Sequence, residues 1–355
     1  MATVTNFYLG ANSGGGFISL FSQLTEPGNT YDLMILKGGP GNGKSTFLTI
    51  VGEAMEAVGT SVEYIRCAGD PDSLDAVLLP ELKSGIVDGT APHVVEPAYP
   101  MAVERYVDLS RFCDVTAAKG AAKEIIRCVD AARAADKRAS HALLAAAQMN
   151  HGLRETAAET FDRSKLERRV DGIIAREFRR RGHEKGRVVR RFLGGPVCSG
   201  YDWRFDSVDA LCPQVYEFAD SFGFAGAAFE KLCAAAAKKG WDVVACMSPE
   251  EPGRMEHLLI PGMGLAFVTS RPGMRYPGRP WRRVRLDAMV GTENRGKLRF
   301  EAKLAALLRE EAVAALGEAR ASRQKLESLY QPYTDFDGVR ALAAVETSRL
   351  LSWMG

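Results

Sequence analysis

Residues 35–48 read ILKGGPGNGKSTFL, and the interpretation of the whole chain starts from this stretch. It fits the pattern G-x-x-x-x-G-K-[ST], beginning at Gly38. The apolar run at 33–36 precedes the pattern as a buried strand would, and residues 46–55 follow it as a helix would. The sequence therefore predicts a strand, a glycine-rich loop and a helix in succession.

This arrangement is typical of the P-loop, which binds the phosphates of a nucleotide. Glycines let successive backbone N–H groups turn towards phosphate oxygens, and the helix N-terminus adds partial positive charge. Lys44 is expected to reach the β- and γ-phosphates of ATP or another nucleoside triphosphate, and Ser45 to ligate Mg²⁺. The predicted nucleotide-binding residues are Gly38, Gly39, Pro40, Gly41, Asn42, Gly43, Lys44, Ser45 and Thr46.

Asp88 is predicted to be a second magnesium ligand and, with Lys44, a catalytic residue. It ends the apolar part of GIVDG at residues 85–89. A carboxylate at the end of a strand beside the P-loop is where this magnesium contact belongs, although Asp-Gly is also a common turn. The next residue is Gly89, so the glutamate that activates water in many ATPases is missing from its expected place.

Three aspartates at 70–75 could supply a further carboxylate. In P-loop kinases a carboxylate in such a place accepts a proton from a substrate hydroxyl, and Asp72 is the predicted catalytic base of that alternative. In the other interpretation, Asp72 or Ser73 caps a helix that follows. His93 is either a sensor of the γ-phosphate or an ordinary loop residue. The glycine-rich segment 11–17 either lies over the nucleotide or forms a plain turn.

The bulk composition bounds the class of protein. A length of 355 residues suggests about two domains, and 46% hydrophobic with 25% charged residues is typical of soluble globular proteins. Seven scattered cysteines without a C-x-x-C pair favour free thiols in a reducing compartment. The N-terminus lacks a signal-peptide pattern, and no apolar stretch reaches membrane-spanning length. We therefore expect a cytoplasmic protein without a membrane segment.

The chain contains a weak internal repeat with a shift of about 181 residues. VEYIRC (62–67) aligns with WDVVAC (241–246). VLLPELKSGIVDGTAP (77–92) aligns with LLIPGMGLAFVTSRP (258–272). Self-similarity at a fixed shift indicates a structural unit that occurs twice.

The second copy has lost the residues of the P-loop. At the corresponding position, residues 219–230 read ADSFGFAGAAFE. Asp220 replaces Gly38, so a carboxylate would face the phosphates with charge of the same sign. In this alignment the positions of Lys44, Ser45 and Asp88 are taken by Gly226, Ala227 and Thr269. The sequence therefore predicts one nucleotide per chain, bound by the first half.

Each copy is followed by a stripe of apolar residues at helical spacing. The two stripes stop at turn-like stretches, MNHG (149–152) and QPYTDFDG (331–338). Each stripe is interpreted as the first arm of an antiparallel helical hairpin, which either carries a protein partner or is ordinary core packing. The first hairpin is expected to pair residues 125–149 with a return arm at 155–181. The second is expected to pair residues 304–329 with a return arm at 337–354.

The predicted fold is α/β: a P-loop NTPase fold in two tandem copies, the second degenerate, each with a long helical hairpin insertion. The first unit carries the Walker A and Walker B segments. The predicted boundaries are 1–110 for this P-loop domain, 111–187 for the first hairpin, 188–290 for the degenerate domain and 291–355 for the C-terminal hairpin.

In these motifs and in its repeated layout, the chain resembles a family of bacterial P-loop ATPases of unknown role. The resemblance rests on FYLGANSGGGF, ILKGGPGNGKST, PDSLDAVLLPELKSGIVDGTAPHVVEP and the repeated layout. It covers nearly the whole first half and, more faintly, the second. Members of that family have tandem P-loop halves with helical insertions, and they often keep a glycine-lysine loop in the second half. This sequence departs from the family there, and the family supplies no substrate.

The expected activity is slow hydrolysis of a nucleoside triphosphate that drives a conformational change. Lys44, the loop amides, Mg²⁺ and Asp88 would position the phosphates and neutralise their charge. One alternative is a small-molecule or nucleotide kinase that uses a carboxylate at 70–75 as its base. Another is a nucleotide-gated scaffold that binds with little hydrolysis.

Two basic stretches, 163–191 and 271–285, raise nucleic acid as a further partner. The second reads RPGMRYPGRPWRRVR, and arginines together with Tyr276 and Trp281 would suit a single strand. The other interpretation is a solvated helix face and an arginine-rich loop. The net charge of only +2 gives no overall field that would favour nucleic acid.

Overall fold

A six-stranded mixed sheet forms the centre of the first half of the chain, in a computed structural model that describes residues 2–26 and 32–354. The elements of this half are β1 (Val4–Phe7), β2 (Gly10–Ser13), β3 (Gly16–Ser19), β4 (Asp32–Lys37), α1 (Lys44–Ala57), β5 (Val62–Arg66), β6 (Leu74–Leu79), β7 (Ser84–Asp88), β8 (Glu104–Asp108), α2 (Val115–Lys119), α3 (Ala122–Ala158) and α4 (Arg163–Glu177). The strand order is β1-β5-β6-β7-β4-β8, and only β6 runs antiparallel to its neighbours. Strands β2 and β3 form a separate hairpin.

The second half contains a sheet of the same topology. Its elements are β9 (Val188–Arg191), β10 (Gly194–Val197), β11 (Gly200–Trp203), α5 (Phe205–Leu211), β12 (Gln214–Ala219), α6 (Ala225–Lys238), β13 (Val243–Met247), β14 (Met255–Ile260), β15 (Leu265–Ser270), β16 (Arg282–Arg285), α7 (Arg295–Tyr330) and α8 (Phe336–Leu351). The order is β9-β13-β14-β15-β12-β16, and only β14 is antiparallel to its neighbours. The α/β class predicted from the sequence is confirmed, and the two sheets agree with the internal repeat.

Strand β4 lies inside the first sheet, between β7 and β8. Its apolar run from Leu33 to Leu36 has no exposed surface, because both faces of the sheet are covered. Helix α1 packs on this sheet through a buried stripe that includes Phe47, Leu48 and Val51. The strand–loop–helix order predicted from residues 33–55 is therefore confirmed.

The two longest helices pack along each other. Helix α3 has 37 residues and α7 has 36. Ala139 of α3 and Ala315 of α7 meet in one buried cluster, where small side chains allow close approach. The predicted turn at 149–152 is wrong, because α3 continues through it to Ala158.

The return helices pack on the halves that are distant in sequence. Helix α4 packs against α6, and Leu166, Val170 and Ile173 join the core of the second sheet. Helix α8 packs against α1, and Val339 and Ala343 join the core of the first sheet. The predicted hairpins are therefore wrong in their pairing: the long helices pair with each other, and each half receives a return helix from the other.

The two sheets also share a core. One buried cluster contains Phe7 and Leu33 from the first half together with Phe205 and Val215 from the second. At the edge of this interface Tyr8 and Phe192, which precede β2 and β10, exchange backbone hydrogen bonds of 2.9 and 2.8 Å. The sheets are thus joined by direct packing as well as by the exchanged helices.

Candidate functional site

Residues 38–43 form the turn between β4 and α1. Gly41 and Gly43 have φ angles of 72° and 79°, which residues with a side chain rarely adopt. A Cβ atom at Gly41 would also lie 2.9 Å from the carbonyl oxygen of Glu327 in α7. Glycine is therefore required at Gly41 both by the turn itself and by the close approach of a helix from the second half.

The backbone N–H groups of this turn are available to a ligand. In the described parts of the chain, the amides of Gly41, Gly43, Lys44 and Ser45 have no hydrogen-bond acceptor. The side chain of Asn42 is buried, and its Oδ1 atom likewise lacks a partner among the described residues. Unpaired N–H donors at a helix N-terminus attract an anion, so this turn has the character of an anion cradle.

Lys44 places an ammonium group beside the turn. Its Nζ atom donates hydrogen bonds to the carbonyl oxygens of Gly38 and Gly39 at 2.9 and 2.8 Å. It also lies 3.7 Å from Oδ2 of Asp88, and the Lys44 side chain is only 12% exposed. The ammonium thus lies at the edge of the cradle, where a phosphate could replace the two carbonyl oxygens as its acceptor.

Asp88 ends β7 next to β4, where it stands in register with Leu36. Its Oδ1 atom accepts hydrogen bonds from the backbone and hydroxyl of Thr90 at 2.9 and 2.6 Å, which leaves Oδ2 facing Lys44. Ser45 Oγ accepts from the backbone N–H of Leu74 at 3.1 Å. The predicted strand end at Asp88 is confirmed, and this carboxylate and the Ser45 hydroxyl line one cleft with Lys44.

The cleft has a volume of about 510 Å³. From the glycine-rich segment 11–17, Asn12 and Phe17 line it. Gly14 has a different function, because a Cβ atom there would lie 2.6 Å from the Cα of Leu144 in α3. The segment therefore contributes side chains to the cleft, whereas its central glycine serves the packing of the β2–β3 hairpin on α3.

His93 lies in the wall of the cleft between the carboxylate of Asp75 and the backbone carbonyl of Asp88. Its Nδ1 is 2.9 Å from the carbonyl oxygen of Asp88, and its Nε2 is 3.4 Å from Oδ1 of Asp75. The ring stacks on Phe21 with centroids 4.5 Å apart. Burial by itself lowers the pKa of His93, but the hydrogen bond to Asp75 and the charges of Asp75 and Asp88 raise that pKa above its usual value. His93 is thus a buried residue that lines the cleft and links β6 to the end of β7.

The aspartates at 70–75 are in three different environments. Asp72 is exposed and lies outside the lining of the cleft, which gives no support to its predicted role as a base. The predicted helix cap at Asp72 or Ser73 is wrong, because the chain continues into strand β6. Asp75 is buried on that strand against His93, and Asp70 lines the cleft with its Oδ2 atom 2.6 Å from Nη2 of Arg320.

Helix α7 contributes cleft residues that belong to no motif of the sequence. Arg320, Arg323 and Glu327 all line the cleft, although they lie more than two hundred residues after the P-loop pattern. Burial raises the pKa of Glu327, while Arg320 and Lys44 act in the opposite direction. In the sequence these residues belong to the polar face of an amphipathic helix, so no local signal could have assigned them to the site.

In the second half, the corresponding turn binds its own side chain. The carboxylate of Asp220 accepts hydrogen bonds from the backbone N–H groups of Ala225 at 2.6 Å, Gly223 at 2.9 Å and Phe222 at 3.3 Å. Arg154 of α3 donates from Nε to the carbonyl oxygen of Phe222 at 3.3 Å. The cavity around Asp220 has a volume of only about 60 Å³, and a separate cavity of about 590 Å³ lies between the outer side of this turn and α4. Three amide donors of this turn are therefore already occupied by the chain's own carboxylate.

The helices correct the predicted alignment of the two turns by one residue. Helices α1 and α6 each have 14 residues, so their first residues, Lys44 and Ala225, correspond. The buried positions agree with this register, since Leu48 matches Phe229. Ser45 therefore corresponds to Gly226, not to Ala227. The counterpart of Asp88 remains Thr269, because Phe218 of β12 is in register with it.

The predicted basic stretches are partly used inside the protein. Nε of Arg283 is 2.5 Å from Oε2 of Glu217, and the guanidinium of Arg282 lies 5.7 Å from the ring centre of Trp281. In the first stretch, Arg176 donates to Tyr216 and Arg191 pairs with Glu63. Nucleic-acid binding by these stretches stays a prediction.

The described residues contain neither a ready-made metal cluster nor a membrane-spanning helix. No group of three or more His, Cys, Asp and Glu side chains could hold a metal ion there. A magnesium ion at Ser45 and Asp88 would therefore take its remaining oxygen ligands from phosphate and water, as Mg²⁺ usually does. Among the helices in the described ranges, none combines the length and apolar character needed to cross a bilayer.

Comparison of the chain with protein-family models, with curated proteins and with solved structures gave no match.

Proposed function

We propose that the chain binds ATP and Mg²⁺ as a P-loop NTPase, built from two tandem copies of the P-loop fold of which the second is degenerate. The nucleotide site lies in the first half. The observation that carries this proposal is the difference between the two turns. Among the described residues, the amides of Gly41, Gly43 and Lys44 have no acceptor and lie beside an ammonium, whereas three amides of the second turn donate to the Asp220 carboxylate.

The residues of the first turn suit a polyphosphate chain. The unpaired amides donate to phosphate oxygens, and Lys44 exchanges the carbonyl oxygens of Gly38 and Gly39 for the β- and γ-phosphates. Ser45 and Asp88 provide the two protein oxygens that would hold Mg²⁺. When bound, Mg²⁺ neutralises part of the phosphate charge.

Hydrolysis is proposed to be slow. The residue after Asp88 is Gly89, and a Cβ atom there would lie 2.4 Å from Cγ2 of Ile35. The strand end therefore has no room for the glutamate that activates water in many ATPases. This observation also favours a second candidate, a nucleotide-gated scaffold that binds with little turnover.

The proposal is tested by calorimetric titration with a non-hydrolysable ATP analogue and Mg²⁺. We expect about one nucleotide per chain, because Asp220 already binds three amides of the second turn and no lysine stands at the position of Lys44 there. The variant Lys44→Ala loses the ammonium, so its affinity should fall at least tenfold, about 1.4 kcal/mol. Lys137→Ala, which removes an exposed lysine of α3, should bind as the wild type does.

A stoichiometry near two would show that the second turn also binds, and an unchanged affinity of Lys44→Ala would contradict the site. An assay with hydrolysable ATP then separates the activities. Free phosphate identifies an ATPase, and a phosphorylated acceptor identifies a kinase. Binding without either product identifies the scaffold.

A further inference from the structure

Helix α7 brings the second half of the chain to the candidate nucleotide site of the first. It begins at Arg295, after the second sheet, and its last turns pass over the glycine-rich turn. The carbonyl oxygen of Glu327 approaches Gly41, and the ring of Phe336, which begins α8, approaches Gly43. One wall of the cleft is therefore made by a helix that starts in the other half.

Two arginines of α7 line this wall, and their partners differ. Arg323 is tied to α3, because its Nη2 atom pairs with Asp136. Arg320 pairs through only one of its two terminal guanidinium nitrogens among the described residues. Its Nη2 atom lies 2.6 Å from Oδ2 of Asp70, while its Nη1 atom is buried and has no hydrogen-bond partner in the described ranges.

A buried N–H donor without an acceptor is unfavourable, and a phosphate oxygen would satisfy it. The other side of the guanidinium stays fixed by Asp70, whose carboxylate also accepts a hydrogen bond from the hydroxyl of Ser73 at 2.7 Å. Arg320 is thus held in place in the cleft with a donor to spare.

The position of Arg320 along α7 selects a phosphate. It lies two helical turns before Glu327, which is about 10 Å of helix rise from the glycine-rich turn. The amides of that turn would hold the inner phosphates, while Lys44 extends from the turn towards the β- and γ-phosphates. The offset of Arg320 from the turn favours the outer end of the phosphate chain over the phosphates held by the amides.

The second half contains a related contact. There Arg154, from the helix supplied by the first half, pairs with Glu251 and donates to the carbonyl oxygen of Phe222 in the second turn. An arginine of the long helix α3, which starts in the first half, thus already reaches the turn of the second half. In the second half it closes the turn, because Asp220 fills the place of an anion.

We propose that Arg320 binds the terminal phosphate of a nucleoside triphosphate, so that the second half supplies a cation to the site of the first. This inference rests on the proposed function. Such an arginine stabilises the charge of the terminal phosphate and distinguishes a triphosphate from a diphosphate. A diphosphate lacks the terminal phosphate and so would lack this contact.

The test compares the affinities of ADP and a non-hydrolysable ATP analogue, each with Mg²⁺, by calorimetry. In Arg320→Ala the affinity for the triphosphate analogue should fall at least tenfold, about 1.4 kcal/mol, while that for ADP changes less than about twofold. Arg138→Ala is the matched control, because Arg138 pairs with Glu318 between the same two long helices but away from the cleft. That control should bind both nucleotides as the wild type does.

Removal of Arg320 leaves Asp70 without its cation, so the double variant Asp70→Asn/Arg320→Ala is measured as well, after thermal unfolding has shown which variants fold. Arg320→Lys provides a third comparison, since it keeps the charge and loses the planar fork. We expect the selective loss of the triphosphate in each folded variant.

The outcomes separate this inference from the proposed function. If Lys44→Ala abolishes binding of both nucleotides but Arg320→Ala binds the triphosphate analogue like the wild type, Arg320 is not a ligand and the nucleotide site stands. Equal losses for ADP and the analogue would also contradict the assignment to the terminal phosphate. If the wild type binds neither nucleotide, both proposals are wrong.

Discussion

Single residues determine what the two turns can bind. The Asp220 carboxylate is 1% exposed and lies among backbone N–H donors, as an anion would. The equivalent space in the first half has no carboxylate of its own. An internal anion and a bound phosphate exclude each other, since they need the same donors and carry charge of the same sign. The aspartate at the start of the second turn therefore takes three of the donors that a phosphate would need.

The protonation of His93 is coupled to the geometry of the first site, because residues of that site shift its pKa. It contacts Asp75 on β6 and the backbone of Asp88 on β7, so it joins the two strands beside the cleft. Because these carboxylates raise its pKa, the folded protein favours the charged imidazolium. Its contribution to stability is therefore linked to pH.

We expect the variant His93→Gln to be destabilised most at acidic pH. A raised folded-state pKa stabilises the protein fully below the usual histidine pKa of 6.5, and this contribution is lost as the pH rises through the raised value. The difference in free energy of unfolding between wild type and variant, from urea denaturation, should shrink between acidic and alkaline pH. His141→Gln, at an exposed position of α3, should show no such trend. A difference that grows with pH would contradict the assignment.

At the scale of elements, the pair of long helices joins the two halves. Helices α3 and α7 meet through alanines, including Ala139 and Ala315, with Leu316 beside them. Polar pairs flank this seam, such as Arg323 with Asp136 and Arg138 with Glu318. Both helices reach a turn at the opposite half, so their relative position sets the geometry of both turns.

The close contact between α3 and α7 at Ala139 should not accommodate a larger side chain. In Ala139→Leu the added atoms have no space, and overpacking of a buried helix contact costs about 1–3 kcal/mol. Ala134→Leu, at an exposed position of the same helix, is the matched control and should change the free energy of unfolding by less than about 0.5 kcal/mol. Chemical denaturation measures both. Equal stability of the two variants would show that α3 and α7 are loosely packed.

At the scale of the whole molecule, the exchange of helices makes the halves dependent on each other. The core around Phe47 and Met34 includes Val339 and Ala343 of α8, and the core around Phe218 includes Leu166 of α4. A chain divided between the two sheets therefore leaves each sheet without one of its covering helices.

This dependence is tested with fragments 1–187 and 188–355. Alone, fragment 1–187 lacks α8 and should show no cooperative thermal unfolding, because apolar surface on α1 and on α4 is left exposed. Mixed in equal amounts, the fragments should regain a cooperative transition by circular dichroism. Cooperative unfolding of fragment 1–187 at the temperature of the intact chain would show that the first half folds without the exchanged helix.

Much of the first site could be predicted because its signals are local. The apolar run before Gly38, the glycines of the turn and the position of Asp88 at a strand end all follow from neighbouring residues. The predicted helix cap at Asp72 or Ser73 is wrong because it, too, rests on neighbouring residues alone. Local rules accept a helix start there, but Leu74 and Ala76 are buried between two strands, and this tertiary burial makes the segment a strand.

The stretch 149–152 shows the same limit in a helix. Asparagine and glycine favour a turn, yet α3 continues through them because Asn150 and Arg154 bond to Glu250 and Glu251 in the second half. A glycine inside a helix costs about 1 kcal/mol, which such contacts and the packing of Leu153 offset.

By itself, the sequence determined the α/β class, the strand–loop–helix unit at Lys44 and the position of Asp88 at a strand end. These depend on residues close together in the chain, where turn chemistry and hydrophobic period act directly. Only the tertiary structure decided that α3 packs on α7, that each half receives a helix from the other, and that Arg320 lines the cleft of Lys44. These features depend on which apolar faces meet. An amphipathic pattern shows that one face of a helix is buried, but the same face could pack against a helix near in sequence or one far away, so the pattern does not identify the partner.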